Sequence, residues 1–244
     1  MNEFLSAQII DQIIGVIDLR HGRAVHALAG DRAHYRPVGI CGGNPLTLAS
    51  QYRSLGATAL YIADLDSISG GDLQSAAIDA ICRSTLETEM MADVGWTGDE
   101  GKDVREAVVQ LARTHRCIGW IAATESMRSL GSLAKLTELV APNRVFLGLD
   151  YRDGQLIAAD ADEDAWVRQA AQLGCRGAVI LDIANVGSSR GPTTIDICRR
   201  VKQLAPTLSL CSGGGIRSAQ DVGLLIQAGC DRCLVATALH PLCG

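Results

Sequence analysis

No apolar run in this chain approaches the ~20 residues that a membrane-spanning helix needs, so a helical membrane protein is excluded. Basic residues are in the minority: 22 Lys and Arg face 27 Asp and Glu, and the formal net charge is -5. That balance excludes field-driven binding of nucleic acid but leaves room for a local phosphate pocket. Residues 1–12, Met-Asn-Glu-Phe-Leu-Ser-Ala-Gln-Ile-Ile-Asp-Gln, lack the basic start and long apolar centre of a secretory signal, which makes the cytoplasm the expected compartment. Cys230-Asp-Arg-Cys233 is a lone CxxC, with no second pair and no His cluster at zinc spacing. Cys82, Cys117, Cys175, Cys198 and Cys211 lie in apolar or helical runs, where cysteine serves as a small core residue. Reduced, mostly buried thiols and no metal site are therefore expected. No GxGxxG follows the first strand, which disfavours an open dinucleotide-binding sheet.

What is present suits one large domain, residues 1–244, at 48% hydrophobic and 20% charged residues. Strand-like runs fall near 13–18, 58–64, 89–94, 117–122, 145–150, 177–182, 207–212 and 232–236. Amphipathic helical patterns lie between them near 45–55, 74–85, 100–114, 127–140, 161–173, 193–204 and 217–228. Several strands, such as Ala178-Val179-Ile180-Leu181, are almost continuously apolar, as expected where both faces are covered. Eight strands with seven helices between them predict a parallel α/β sheet closed into a (β/α)8 TIM barrel. The first loop, 19–44, is long for such a connection, which points to a functional or mobile segment. The chain runs only eight residues past the last strand, so an ordinary eighth helix does not fit. Residues 3–12, or a second copy in a homo-oligomer, are expected to cover the apolar seam between the last strand and the first.

The chain also echoes itself. Ile14-Gly15-Val16-Ile17-Asp18-Leu19-Arg20-His21-Gly22 and Phe146-Leu147-Gly148-Leu149-Asp150-Tyr151-Arg152-Asp153-Gly154 share Gly, two apolar residues, Asp, and a Gly four positions later. Asp64 and Asp182 lie 118 positions apart, as do Gly95 and Gly213, while Thr124 and Thr237 lie 113 apart. Two fused half-barrels, about 13–141 and 142–239, are implied. In such barrels the strand C-termini carry the active site. Asp18, Asp64, Asp150 and Asp182 all close strands, and two carboxyls on one rim form a natural acid/base pair. Each taken alone is as readily a loop-capping aspartate. Ser212-Gly213-Gly214-Gly215 before a helix can aim several N–H groups at a phosphate, with Ala236 and Thr237 completing the site from the last strand. The matching loop, Gly95-Trp96-Thr97-Gly98 with Thr124, keeps fewer glycines, and Trp96 reads equally as a packing residue or a substrate contact.

At these residues the chain resembles the HisA/HisF group of two-fold symmetric barrels, nearest to the ProFAR isomerases. The marks are Val16-Ile17-Asp18-Leu19 with Gly22 and Gly30-Asp31, Ala63-Asp64-Leu65-Asp66, Gly148-Leu149-Asp150 and Ser212-Gly213-Gly214-Gly215. The resemblance spans about residues 13–239 and implies a barrel of the ribulose-phosphate-binding kind. It implies that Asp18 and Asp150 are the acid/base pair and that Asp182 contributes in some members. The substrate so implied is a phosphorylated small molecule with one phosphate per half-barrel. The reaction is an aldose–ketose (Amadori) rearrangement that needs no cofactor. The chain departs from the pattern at Gly95-Trp96-Thr97-Gly98, at Leu181 and at Ala184-Asn185-Val186-Gly187-Ser188. Those departures suggest a divergent isomerase of a phosphosugar amine with a single phosphate anchor. A HisF-like cyclase would need a glutaminase partner, and Val16-Ile17-Asp18-Leu19 with Gly30-Asp31 favours the isomerase side. Two alternatives stay open: a binding barrel without catalysis and an enzyme of tetrahydromethanopterin-type one-carbon cofactor synthesis.

Overall fold

A computed structural model describes residues 4, 7–86, 88–159 and 162–243. Eight parallel strands alternate with helices: β1 Ile13–Arg20, β2 Ala59–Asp64, β3 Glu89–Asp93, β4 Ile118–Ala123, β5 Val145–Arg152, β6 Gly177–Asp182, β7 Ser209–Gly213 and β8 Arg232–Val235. Pairing runs in chain order and β8 returns to β1, so the sheet closes into a (β/α)8 barrel. The seven long helices described are α1 Pro45–Ser54, α2 Ser75–Ser84, α3 Lys102–Thr114, α4 Leu130–Val140, α5 Glu163–Gln172, α6 Ile195–Leu204 and α7 Ala219–Gln227. Their starts are set by local chemistry. The Asn44 side chain accepts the N–H groups of Leu46 and Thr47 ahead of Pro45, Asp162 accepts that of Ala165, and Ser218 that of Asp221. Capping explains why α5 and α7 begin two residues later than the apolar pattern predicts. Ala161, the first residue of the predicted fifth helix, lies outside the described residues.

Strand alternation sorts the side chains into two layers. Ile14, Tyr61, Met91, Ile121, Phe146, Val179, Cys211 and Leu234 fill the barrel interior. Ile13, Ile17, Leu60, Ile62, Trp120, Leu147 and Leu210 face the helices. Gly119 and Gly177 make room for the Phe146 ring, since a Cβ at either would meet it at 2.7 and 3.0 Å. At the lower end Glu89 pairs with Arg176 at 2.6 Å and Arg232 at 2.9 Å, and Arg176 lies 5.4 Å from the Phe146 ring centre.

The register carries a two-fold relation. Paired residues lead from Asp18 through Ala63, Asp93 and Ile121 to Phe146, four residues below Asp150. From Asp150 they lead through Leu181, Gly213 and Leu234 to Ile14, four residues below Asp18. The two halves contribute equal staggers, which together give the shear of about eight found in this barrel class.

Both echoing segments turn back on themselves. Beyond Asp18 the chain pairs Arg20 with Arg23 in an antiparallel hairpin with strand Arg23–His26, which in turn pairs with Arg36–Pro37. Beyond Asp150 it pairs Arg152 with Gln155. The turn residues His21, Gly22, Asp153 and Gly154 all have positive φ, between 49° and 77°, the requirement of a two-residue hairpin that matches strand twist. The recurring Gly four positions after each Asp is thus a hairpin glycine.

Both ends of the chain fill the seam at β8 and β1. Phe4, Ile10, Leu239 and Cys243 are all buried in the layer outside the strands. Residues 240–242 form one short helical turn in place of an eighth helix, and Gln51 Nε2 donates to the Cys243 carbonyl at 3.0 Å. Residues 3, 5 and 6 lie outside the described residues. No helix among the described residues is long and apolar enough to cross a membrane.

Candidate active site

The C-terminal mouth of the barrel opens into a cavity of about 430 Å³, within the range of small-molecule sites. Asp18, Asp93, Asp150 and Glu125 line it, together with Tyr61 and Arg152. Asp18 and Asp150 point inward because each pairs with an inward position, Ala63 and Leu181 respectively. Burial sets their chemistry, since losing water disfavours the charged form. It pushes the Asp18 carboxyl up to about 7, partly offset by the Ala27 N–H. Asp150 is driven well above the carboxylate range by burial first, then by the negative charges of Glu125 and Asp93. Its backbone is held by Thr124, whose Oγ1 accepts the Asp150 N–H at 3.0 Å.

Asp182 sits differently. It pairs with Tyr151, an outward position, so its side chain leaves the barrel interior. Its carboxylate accepts the N–H groups of Asp153 and Gly154, each at 3.1 Å, and of Ala184 at 3.2 Å. It holds the hairpin turn beyond Asp150 and does not line the cavity. In the first half Asp66 and Gln74 do the same work, accepting the N–H groups of His21 and Gly22 at 2.8 and 2.6 Å. Asp64 accepts from Gln74 and Ser67. The sequence reading set four strand-end aspartates on one rim, but Asp64 and Asp182 stand one residue beyond the inward position and so face away.

At the other end of the cavity Gly214, Gly215, Ile216, Ala236 and Thr237 form the wall. Gly214 and Gly215 take φ values of 88° and 73°, a region that disfavours any side chain. Asn185 fixes this loop by donating to the carbonyls of Gly191 at 2.6 Å and Gly214 at 3.2 Å. Among the described residues, no protein acceptor meets the N–H groups of Gly215, Ile216 and Thr237. Ser212 faces outward, its hydroxyl donating to the Ile180 carbonyl and pairing with Thr194 at 2.7 Å. Gly213 is packed against the Leu234 backbone and does not line the cavity.

The first-half loop is built otherwise. Trp96 is buried in the layer between strands and helices and donates its indole N–H to the Ser132 carbonyl at 2.8 Å. The Gly95 N–H goes to Asp93, and Thr97 turns to Glu100. None of Gly95, Trp96, Thr97 or Thr124 lines the cavity.

Sequence reading missed Asp93, Tyr61, Glu125, Arg152 and His240 as cavity residues. Asp93 was within reach, because it closes the run Met90-Met91-Ala92-Asp93 at an inward position. Burial pushes it up to about 7, with the charge of Glu125 adding to the shift. His240 arrives from the far end of the chain, and its ring nitrogen lies 3.1 Å from the Tyr52 hydroxyl. Burial lowers it to about 4, so it is neutral at physiological pH. Among the described residues no group of three or more His, Cys, Asp or Glu side chains is arranged to hold a metal ion.

A closed parallel barrel with paired inward carboxyls and a glycine-lined loop before its seventh helix has the layout of a phosphate-binding barrel enzyme. The sequence profile for histidine biosynthesis proteins matches residues 12–242, and the chain belongs to that family. It is 32% identical over 234 residues to an uncharacterized protein of Methanocaldococcus jannaschii, covering 94% of this chain and 93% of the relative. It is 28% identical over 235 residues to the 1-(5-phosphoribosyl)-5-((5-phosphoribosylamino)methylideneamino) imidazole-4-carboxamide isomerase of Thermus thermophilus, covering 94% of each chain. The isomerase of the same name from Chloroflexus aurantiacus is 26% identical over 235 residues, 94% of this chain and 92% of the relative.

Proposed function

We propose that this chain is an aldose–ketose isomerase acting on a phosphorylated ribosyl amine by an Amadori rearrangement. The observation that carries this reading is the pair Asp18 and Asp150, which face one cavity from opposite strands with both carboxyls shifted toward the protonated form. The relatives named as isomerases support the reaction class. Asp150, the more strongly shifted, serves as the acid: it protonates the ribose ring oxygen, the C1′–oxygen bond breaks, and a protonated Schiff base forms. Asp18, half-ionised near neutrality, is the base that removes the C2′ proton, and the electron pair moves to give an enolamine. Protonation at C1′ with loss of the C2′ hydroxyl proton yields the aminoketose, so substrate and product are isomers. The N–H groups of Gly215, Ile216 and Thr237, at one end of the cavity, hold a substrate phosphate.

Incubating the purified chain with ProFAR and with simpler phosphoribosyl amines, and following loss of the aldose by NMR, tests this. Conversion that Asp18→Asn and Asp150→Asn both abolish is expected. Conversion that either variant leaves intact would overturn the assignment.

A further inference from the structure

We propose that Glu100 occupies the first half's anion site, so that the substrate of this barrel carries one phosphate. Resting on the same cavity as the isomerase reading, this narrows its substrate class. The strand register sets Asp93 level with Gly213, and the helices that follow have Gly101 and Ser218 as N-caps, so the loop 94–101 is the first-half counterpart of the loop 214–218. In the second half the Gly215 and Ile216 N–H groups meet no protein acceptor among the described residues. In the first-half loop the Gly95 N–H goes to Asp93 and those of Thr97 and Gly98 go to Glu100. The Glu100 carboxylate accepts the Thr97 N–H, the Thr97 hydroxyl at 2.8 Å, and the Gly98 N–H at 3.2 and 3.1 Å from its two oxygens.

Asp99 completes the substitution by taking the nearby cations, Lys135 at 3.1 Å and Arg128 at 3.6 Å. Lys135 also donates to the Gly98 carbonyl at 2.8 Å. A second phosphate would have to displace one carboxylate from three donors while approaching another. Like charges at such range are disfavoured, and charge-assisted hydrogen bonds are the stronger kind. The cavity agrees independently: its wall includes Gly214, Gly215 and Ile216 but not Trp96, Thr97 or Gly98. Trp96 adds a buried indole to the first-half loop. Glu100 is thereby a specificity-determining residue that denies a second phosphate its anchor.

The test is calorimetric titration of the whole chain with ribose 5-phosphate and with ProFAR, which carries two phosphates. In the parent the two affinities are expected within about threefold of each other, since the second phosphate finds no donors. Glu100→Ser, which removes the carboxylate, is expected to strengthen ProFAR binding about tenfold or more while leaving ribose 5-phosphate unchanged. Should that variant not fold, Glu100→Gln removes the charge alone and is expected to move the ratio the same way by a smaller factor. A parent that binds ProFAR about a hundredfold more tightly than ribose 5-phosphate would overturn the proposal. So would a folded Glu100 variant with an unchanged ratio, or a parent that binds neither ligand. These ratios are read without turnover, so a chain that binds one phosphate but isomerises nothing would sink the isomerase reading and leave this one standing.

Discussion

Tyr61 donates its hydroxyl to the Asp93 carboxyl at 3.2 Å, at the strand level that also holds Asp18. The tyrosine is held well above its ordinary range, by burial first and then by the charges of Asp93, Asp150 and Asp18. Three aspartates therefore act on one phenol, and with its burial they favour the protonated hydroxyl.

On the proposed mechanism, replacing Asp18 or Asp150 by Asn removes a proton-transfer group while keeping size and hydrogen bonding. General acid–base help is worth about 10²–10⁴-fold per group, and a loss of that size in kcat is expected for each variant. Because the glycine-lined wall belongs to other strands, affinity for ribose 5-phosphate should stay within about twofold. Steady-state rates and calorimetric titration of both variants beside the parent check the two halves of this expectation.

Asp93 gives a stability test with a definite sign. Its folded-state carboxyl titrates near 7 against an ordinary 3.8. A raised carboxyl stabilises the fold while protonated, fully so below its unfolded value, and that contribution is lost as pH rises toward 7. The loss is at most on the order of 4 kcal/mol. Asp93→Asn has no proton to lose, yet its amide oxygen can still accept from Gly95 and Tyr61. Its melting temperature relative to the parent should therefore climb between pH 4 and about pH 7 and level off above. A constant difference across that window would mean that Asp93 is ionised in the folded protein.

For Asp182 the expectation is mechanical. Asp182→Ala leaves the N–H groups of Asp153, Gly154 and Ala184 without their acceptor. Asp153 and Gly154 are exposed, so water partly compensates and the stability cost should be about 1 kcal/mol. Loosening the hairpin beyond Asp150 should lower kcat without moving the pH at which activity rises. A displaced pH profile would instead make Asp182 a proton carrier.

Most of the barrel was legible because β-branched and apolar runs recur at regular spacing, and each predicted strand overlaps an observed one. The orientation of the aspartates was not. A one-residue difference in position turns Asp182 outward while Asp150 faces in, and only cross-strand register reveals it. Strands Arg23–His26 and Arg36–Pro37 escaped because their pairing lies in a loop rich in glycine. The role of Glu100 left a visible trace, since Thr97-Gly98-Asp99-Glu100 before a helix has the spacing of a capping box. His240 left none, because what brings it to the cavity is the closure of β8 on β1.

Leu239 tests that closure. It is wholly buried in the seam, so Leu239→Ala should cost about 2–5 kcal/mol. Urea unfolding of the variant measures this, and a change below about 1 kcal/mol would show that the seam can collapse around the missing side chain.

The equal staggers of the two halves have a consequence for direction. A half-turn about the barrel axis exchanges Asp18 with Asp150, so the acids alone do not tell a bound sugar which way round to lie. Polarity must come from whatever breaks that symmetry at the rim. Here one difference is that Glu100 takes N–H groups of the loop after β3, whereas those of Gly215 and Ile216 after β7 meet no protein acceptor among the described residues. A ligand tethered by one phosphate enters in a single orientation, and each aspartate then meets the same end of it in every turnover.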